Sequence, residues 1–202
     1  AKVREHAPDF CCDAVINGRF TQRSLNYYLS RDQWLMILFM PMAFSFVCPT
    51  EVLAFDNVLE EFTEQECSVV FVSTDSKYSL HSWQTRPKRE GGLGEINVPL
   101  LSDQNHKMSK AYGVLVEDEG IALRGRFIIN PLGIIKHISI NDVAVGRSVL
   151  ESLRLLQAYK AEYENGVFCA ANWKPGDTTL APTQEAAQEY INEHFGELSV
   201  KD

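Results

Sequence analysis

The chain has 202 residues, of which 45% are hydrophobic and 23% charged, with 19 Lys and Arg against 27 Asp and Glu for a formal net charge of -8. A negative balance without a basic cluster excludes a nonspecific nucleic-acid binder, and the length suits one globular domain with an appendage rather than a string of domains. Five cysteines spread over Cys11, Cys12, Cys48, Cys67 and Cys169 form neither a secreted disulfide framework nor a C-x-x-C pair, and no Cys/His spacing suggests a metal.

In chain order, residues 34–40 are expected to form a central strand, because strands covered on both faces read as continuous apolar runs. The wider apolar stretch 34–49 falls short of the ~20 residues of a membrane-spanning helix and is interrupted by Pro41. Pro49 suits the first turn of a helix, and Val52, Phe55, Leu59 and Phe62 continue at helical spacing to about residue 64. Strands follow at 68–74 and 99–103, with helices at 79–85 and 107–112. Residues 123–129 and 134–140 form a hairpin around Asn130-Pro131-Leu132-Gly133, and a long helix spans 147–163 before Gly166. Alternation of strands with helices implies an α/β sheet covered by helices, and the hairpin makes it mixed. After Cys169 the composition turns loop-like, with one amphipathic helix at 182–195. The expected division is a domain over 1–166 and a C-terminal arm over 167–202.

Cys48 ends the apolar stretch at a helix start, where unpaired backbone N–H groups and the helix dipole favour an anion. Making a thiolate the majority form near neutral pH needs roughly 3 kcal/mol, at about 1.36 kcal/mol per pKa unit. A helix N-terminus contributes about 0.3–1 kcal/mol, and about 2 at best. Glu51 in the first turn opposes ionisation, so a cation must approach the sulfur. Arg124, Arg126 and Arg147 are the candidates, and Ser45 adds a hydroxyl three residues before the thiol. The competing reading is plain: a cysteine after an apolar run is usually inert core, and each arginine is usually a surface charge. A cysteine hydrolase would need His81, His106 or His137 as base, and their spacing gives no support.

The segment Pro41-x-x-x-Ser45-x-x-Cys48-Pro49-Thr50-Glu51 resembles the signature of the typical two-cysteine peroxiredoxins. The likeness continues through His6-Ala-Pro-Asp-Phe10, Trp83, Gly91-Gly92-Leu93-Gly94, Leu123-Arg124-Gly125, Val145-Gly146-Arg147, and Cys169 before Trp173-Lys-Pro-Gly176. The resemblance implies a thioredoxin-like fold and a thiol peroxidase acting on hydrogen peroxide and small organic hydroperoxides, with no cofactor and no metal. Cys48 would attack the peroxide and Arg124 would activate it. Pro41 would shield the sulfenic acid, Ser45 would bond the peroxide, and Glu51 and Arg147 would form a supporting network. Cys169 of a partner subunit would resolve the sulfenic acid to a disulfide, which thioredoxin or a similar dithiol would reduce. The resemblance further implies an antiparallel homodimer, often five to a ring, with no membrane or nucleic-acid partner. The expected place is the cytoplasm, or the mitochondrion after removal of a targeting segment. A chaperone-like holdase or peroxide-signalling relay with redox-controlled assembly is the alternative function.

Departures from the family pattern are Met40 in place of Tyr, Ala43 in place of Asp, Ser45 in place of the commoner Thr, and Ala144 in place of Pro. Tyr190-Ile191 stands where a Tyr-Phe pair accompanies easy overoxidation.

Overall fold

The structure is a computed structural model and describes residues 1–196, so the end of the expected arm, 197–202, lies outside the described residues. The chain forms two compact units, Ala1–Val149 and Leu150–Asp202.

The first unit opens with a hairpin of β1 (Cys11–Ile16) and β2 (Arg19–Ser24). Apolar patterning predicts no element here, yet Asn17-Gly18 is a strong local hairpin signal. Both residues take positive φ, 49° and 69°, which the two-residue turn between right-twisting strands requires. The hairpin leads into α1 (Leu25–Leu29), whose first turn is capped by the Ser24 side chain accepting from Tyr27 N–H.

β3 (Trp34–Phe39) is buried at all six positions, the central strand its apolar run predicts. Next come α2 (Cys48–Asn57), α3 (Leu59–Glu64), β4 (Cys67–Ser73), α4 (Lys77–Thr85), β5 (Leu100–Ser102) and α5 (Lys107–Tyr112). A small hairpin of β6 (Leu115–Val116) and β7 (Ile121–Ala122) precedes β8 (Arg124–Ile129) and β9 (Ile135–Asn141). The single helix expected over 49–64 is two helices. Val58 separates them at φ -120° and ψ 21°, outside the helical region, while Val52, Phe55 and Phe62 remain buried across the break.

The seven-stranded sheet has the order β2-β1-β5-β4-β3-β8-β9. Its centre, β5-β4-β3, is parallel; β8 pairs antiparallel with β3, and β9 with β8. It is the mixed α/β sheet of a thioredoxin-like fold. Phe39, Tyr112 and Phe127 form a mutually packed aromatic group with ring centroids 4.9–5.7 Å apart. Phe55 packs edge-on to Phe71 and beside Phe62 at 5.6 and 5.8 Å, tying α2 and α3 to β4. Each such pair contributes about 0.5–1.5 kcal/mol beyond its buried area.

The second unit holds most of α6 (Val149–Asn165) and all of α7 (Gln184–Phe195). α6 stops before Gly166, whose φ of 64° is the left-handed conformation of a helix end. Phe168 and Leu180 then bridge antiparallel, and Thr183 caps α7 by accepting from Ala186 N–H. Among the described residues no helix is long and apolar enough to cross a membrane.

Candidate active site

Three pieces of the first unit converge on one sulfur. β3 hands the chain to a loop at Met40, whose N–H bonds Val72 O at 2.8 Å on the neighbouring strand. The loop turns through Phe44 at φ 59°, an uncommon conformation for a side-chain-bearing residue, and enters α2 with Cys48 as its first residue. Cys48 is fully buried, Pro49 follows it in the first turn, and no side chain caps this helix end.

β8 begins at Arg124, which lies beyond the last residue of β8 that faces β3, Arg126 opposite Leu38. This register leaves Arg124 past the end of the β3 pairing, still opposite Asn141 of β9, with its Nη1 3.4 Å from Cys48 Sγ and 2.7 Å from Glu51 Oε2 at the start of α2. Its Nε donates to Val143 O at 2.8 Å, which fixes the plane of the guanidinium. Arg126, two residues further along the same strand, reaches His137 Nε2 at 3.4 Å instead of the thiol.

Arg147 closes the frame from the far side of Glu51. Its backbone N–H and Nε bond Glu51 Oε1 at 2.7 and 2.8 Å, Nη2 bonds Oε2 at 3.0 Å, and Nη1 bonds Gly125 O at 2.7 Å. The approach is tight at Gly146: a Cβ there would stand 3.2 Å from Val47 Cγ1 and 3.4 Å from Glu51 Cγ, so these side chains would have to give by a few tenths of an ångström. Burial drives the Glu51 carboxyl upward, but the hydrogen bonds and charge of Arg147, with Arg124 behind them, outweigh it and hold the group below the ordinary carboxylate value. By chain position alone Glu51 opposes ionisation of the thiol. In the structure its charge is committed to two guanidiniums, so the buried set of Arg124, Arg147 and Glu51 carries one positive charge in excess, and that excess sits on the side of the sulfur.

The loop residues are placed differently. Pro41 is buried. Ser45 lies in the loop but donates to Met42 O at 3.0 Å rather than to the thiol. Asp75, which sequence reasoning missed, accepts from Ala43 N–H at 2.7 Å and from the Ser73 hydroxyl at 2.8 Å, so a carboxylate from beyond β4 ties down the loop. No local pattern marks that role. Next to this tie, Phe46 is 97% exposed and Phe44 packs near Trp83 at 6.1 Å.

In the second unit Cys169 is half-buried, and its thiol donates to Ala158 O at 3.6 Å. Burial raises its pKa above the ordinary thiol value and Glu162 adds to that, while Arg154 pulls the other way. Arg154 is held by Glu151 at 2.6 and 2.8 Å and donates to Trp173 O at 2.6 Å, which anchors the turn after Cys169. No group of side chains suited to hold a metal ion occurs among the described residues.

A thioredoxin-like sheet with a buried thiol at a helix start, faced by an arginine that a carboxylate and a second arginine hold in place, defines a class of thiol-dependent oxidoreductases. Residues 3–138 match the AhpC/TSA family and residues 158–193 match the C-terminal domain of 1-Cys peroxiredoxin; the chain belongs to the AhpC/TSA family and is a peroxiredoxin of the two-cysteine type. It is 50% identical to peroxiredoxin TSA1 of Saccharomyces cerevisiae over 191 residues, 95% of this chain and 96% of the relative. It is 47% identical over 189 residues to the mitochondrial thioredoxin-dependent peroxide reductase of Rattus norvegicus, covering 94% of this chain and 73% of that one. Its fold superposes on the reduced 2-Cys peroxiredoxin of Plasmodium vivax with a TM-score of 0.92 at 35% identity, covering 95% and 99% of the two chains. These relatives favour a peroxidase over the holdase alternative.

Proposed function

We propose that the protein reduces hydrogen peroxide and small organic hydroperoxides with Cys48 as the attacking thiolate, in antioxidant defence. The observation that carries this reading is the 3.4 Å approach of the Arg124 guanidinium to Cys48 Sγ inside a fully buried frame. The thiolate attacks one peroxide oxygen, the O–O bond breaks, and the second oxygen leaves as water or alcohol after taking a proton. The sulfur is oxidised to a sulfenic acid. Arg124 is suited to the charge that develops on the leaving oxygen, because a fixed guanidinium needs no reorganisation at that moment. Glu51 and Arg147 position it. Pro41 shields the sulfenic acid, and Ser45 becomes a peroxide ligand if its hydroxyl turns from Met42 O.

Cys169 then attacks the Cys48 sulfenic acid, releasing water and forming a disulfide. The proposed geometry is intersubunit, with residues 1–166 as the peroxidase domain of one chain and the arm 167–202 of another supplying the thiol. A homodimer, assembled further into a ring of five, provides such a partner, and thioredoxin or a similar dithiol returns both thiols. The thiols work in a reducing compartment, the cytoplasm or the mitochondrion. Peroxide consumption coupled to thioredoxin, its reductase and NADPH tests the reading. Turnover should vanish in Cys48→Ser, and persistence of turnover in that variant overturns it.

A further inference from the structure

Away from Cys48, a cavity of about 300 Å³ opens between the β1–β2 hairpin with α1 and the α3–β4 side of the sheet. That volume lies at the lower end of small-molecule sites. Its apolar wall is built by Ile16, Leu59, Val69 and Pro99. Its mouth carries two guanidiniums, Arg23 and Arg31, stacked on the Tyr27 ring at 4.1 and 3.7 Å from the centroid.

Neither arginine meets a carboxylate among the described residues. Arg23 donates through Nη1 to Thr21 Oγ1 and Gln22 O, at 3.2 and 2.8 Å, and Arg31 through Nη1 to Tyr27 O at 2.7 Å. Beyond these bonds the Arg23 guanidinium lies close enough to the Tyr28 hydroxyl to act on it. Two like charges gathered on one ring repel each other, and an anion beside the ring, reached by the outer N–H groups, would relieve that cost.

Deeper in the same cavity is Tyr28, 2% exposed, whose buried hydroxyl makes no hydrogen bond of good geometry and has the Arg23 guanidinium near it. A buried hydroxyl left without a well-made hydrogen bond costs stability that a ligand acceptor or donor would restore. On the adjoining wall Ser68 Oγ donates to Gln33 Oε1 at 3.0 Å, which leaves the Gln33 amide N–H groups as further donors.

We infer that this cavity binds a small aromatic carboxylate, its carboxylate held by the forks of Arg23 and Arg31, its flat ring on the apolar wall, and a polar ring substituent within reach of the Tyr28 hydroxyl. A carboxylate matches the planar guanidinium fork, and the wall rewards an apolar body that a bare anion lacks.

Isothermal titration of the intact reduced protein with 6-hydroxy-2-naphthoate tests it, with 6-hydroxy-2-naphthamide and inorganic phosphate as comparison probes. Saturable binding of one naphthoate per chain is expected, with the neutral amide at least about tenfold weaker and phosphate weaker still. The Arg23→Gln/Arg31→Gln double variant should lose at least about tenfold in affinity while its peroxide turnover stays unchanged. Tyr28→Phe should weaken the hydroxynaphthoate several-fold and leave unsubstituted 2-naphthoate unaffected. Absence of saturable binding overturns the inference, as does equal affinity for the amide or for phosphate, or insensitivity to the double arginine change.

Discussion

The two cysteines of the proposed cycle sit in opposite kinds of surroundings. Cys48 is fully buried, and the arginine facing it is fixed by Val143 O and by Glu51, which Arg147 holds in turn. Cys169 is half-buried beyond the end of α6, with one weak thiol hydrogen bond to Ala158 O and a local anchor through Arg154 and Trp173. α7, further along the same unit, buries none of its residues. The contrast fits a division of labour. A thiol that must react fast with a small peroxide profits from a prebuilt electrostatic frame, whereas a thiol that must travel to another sulfur profits from few contacts to break.

Removing each thiol gives the largest effects and separates the roles. Cys169→Ser should retain the rapid first reaction with peroxide, seen as a change in tryptophan fluorescence, but thioredoxin-supported turnover should fall to background. A disulfide-linked dimer persisting on a non-reducing gel in this variant would refute the assignment. Breaking the frame around Cys48 comes next. Glu51→Gln leaves two buried guanidiniums short of their counter-charge and should cost about 3–5 kcal/mol in denaturant unfolding. Loss of the facing cation in Arg124→Ala should slow the peroxide step by about 10²–10³-fold, measured by stopped flow, with no comparable change in the resolving step.

Acid titration distinguishes the two regions more gently. Because Glu51 is held below its ordinary value of 4.5, its contribution to stability is complete above that pH and is lost as the pH falls through its depressed native value. Thermal midpoints of the native protein should therefore drop on acidification below about pH 4.5 more steeply than those of Glu51→Gln. At Cys169 the shift runs upward, so disulfide formation after the first phase should accelerate as the pH rises above neutrality. Arg154→Gln should move that rise to still higher pH. The smallest effect is expected from Ser45→Ala, a loss of one hydroxyl hydrogen bond and about 1 kcal/mol in the peroxide step.

Local patterning determined much of the fold. The buried run ending in Cys48-Pro49, the Asn-Pro-Leu-Gly turn and the helix stop at Gly166 each follow from short-range chemistry, and the structure has β3, the β8–β9 hairpin and α6 where these signals put them. The first hairpin was equally legible in Asn17-Gly18. The break at Val58 was not, because apolar spacing runs unchanged across it.

For the site, the sequence by itself determined that Cys48 stands at a helix start and that this alone is too weak an influence, leaving three arginines to choose from. Only the tertiary structure decided among them. The register of β8 carries Arg124 past the end of the β3 pairing to the sulfur and leaves Arg126 at His137, and Arg147 closes on Glu51 from 96 residues away, beside the tightly packed Gly146. It also turned Glu51 from an opponent of ionisation into the clamp of the arginine that faces the sulfur. Charge at a site depends on which groups are brought within a few ångströms in a low-dielectric interior, and chain order holds no record of those distances.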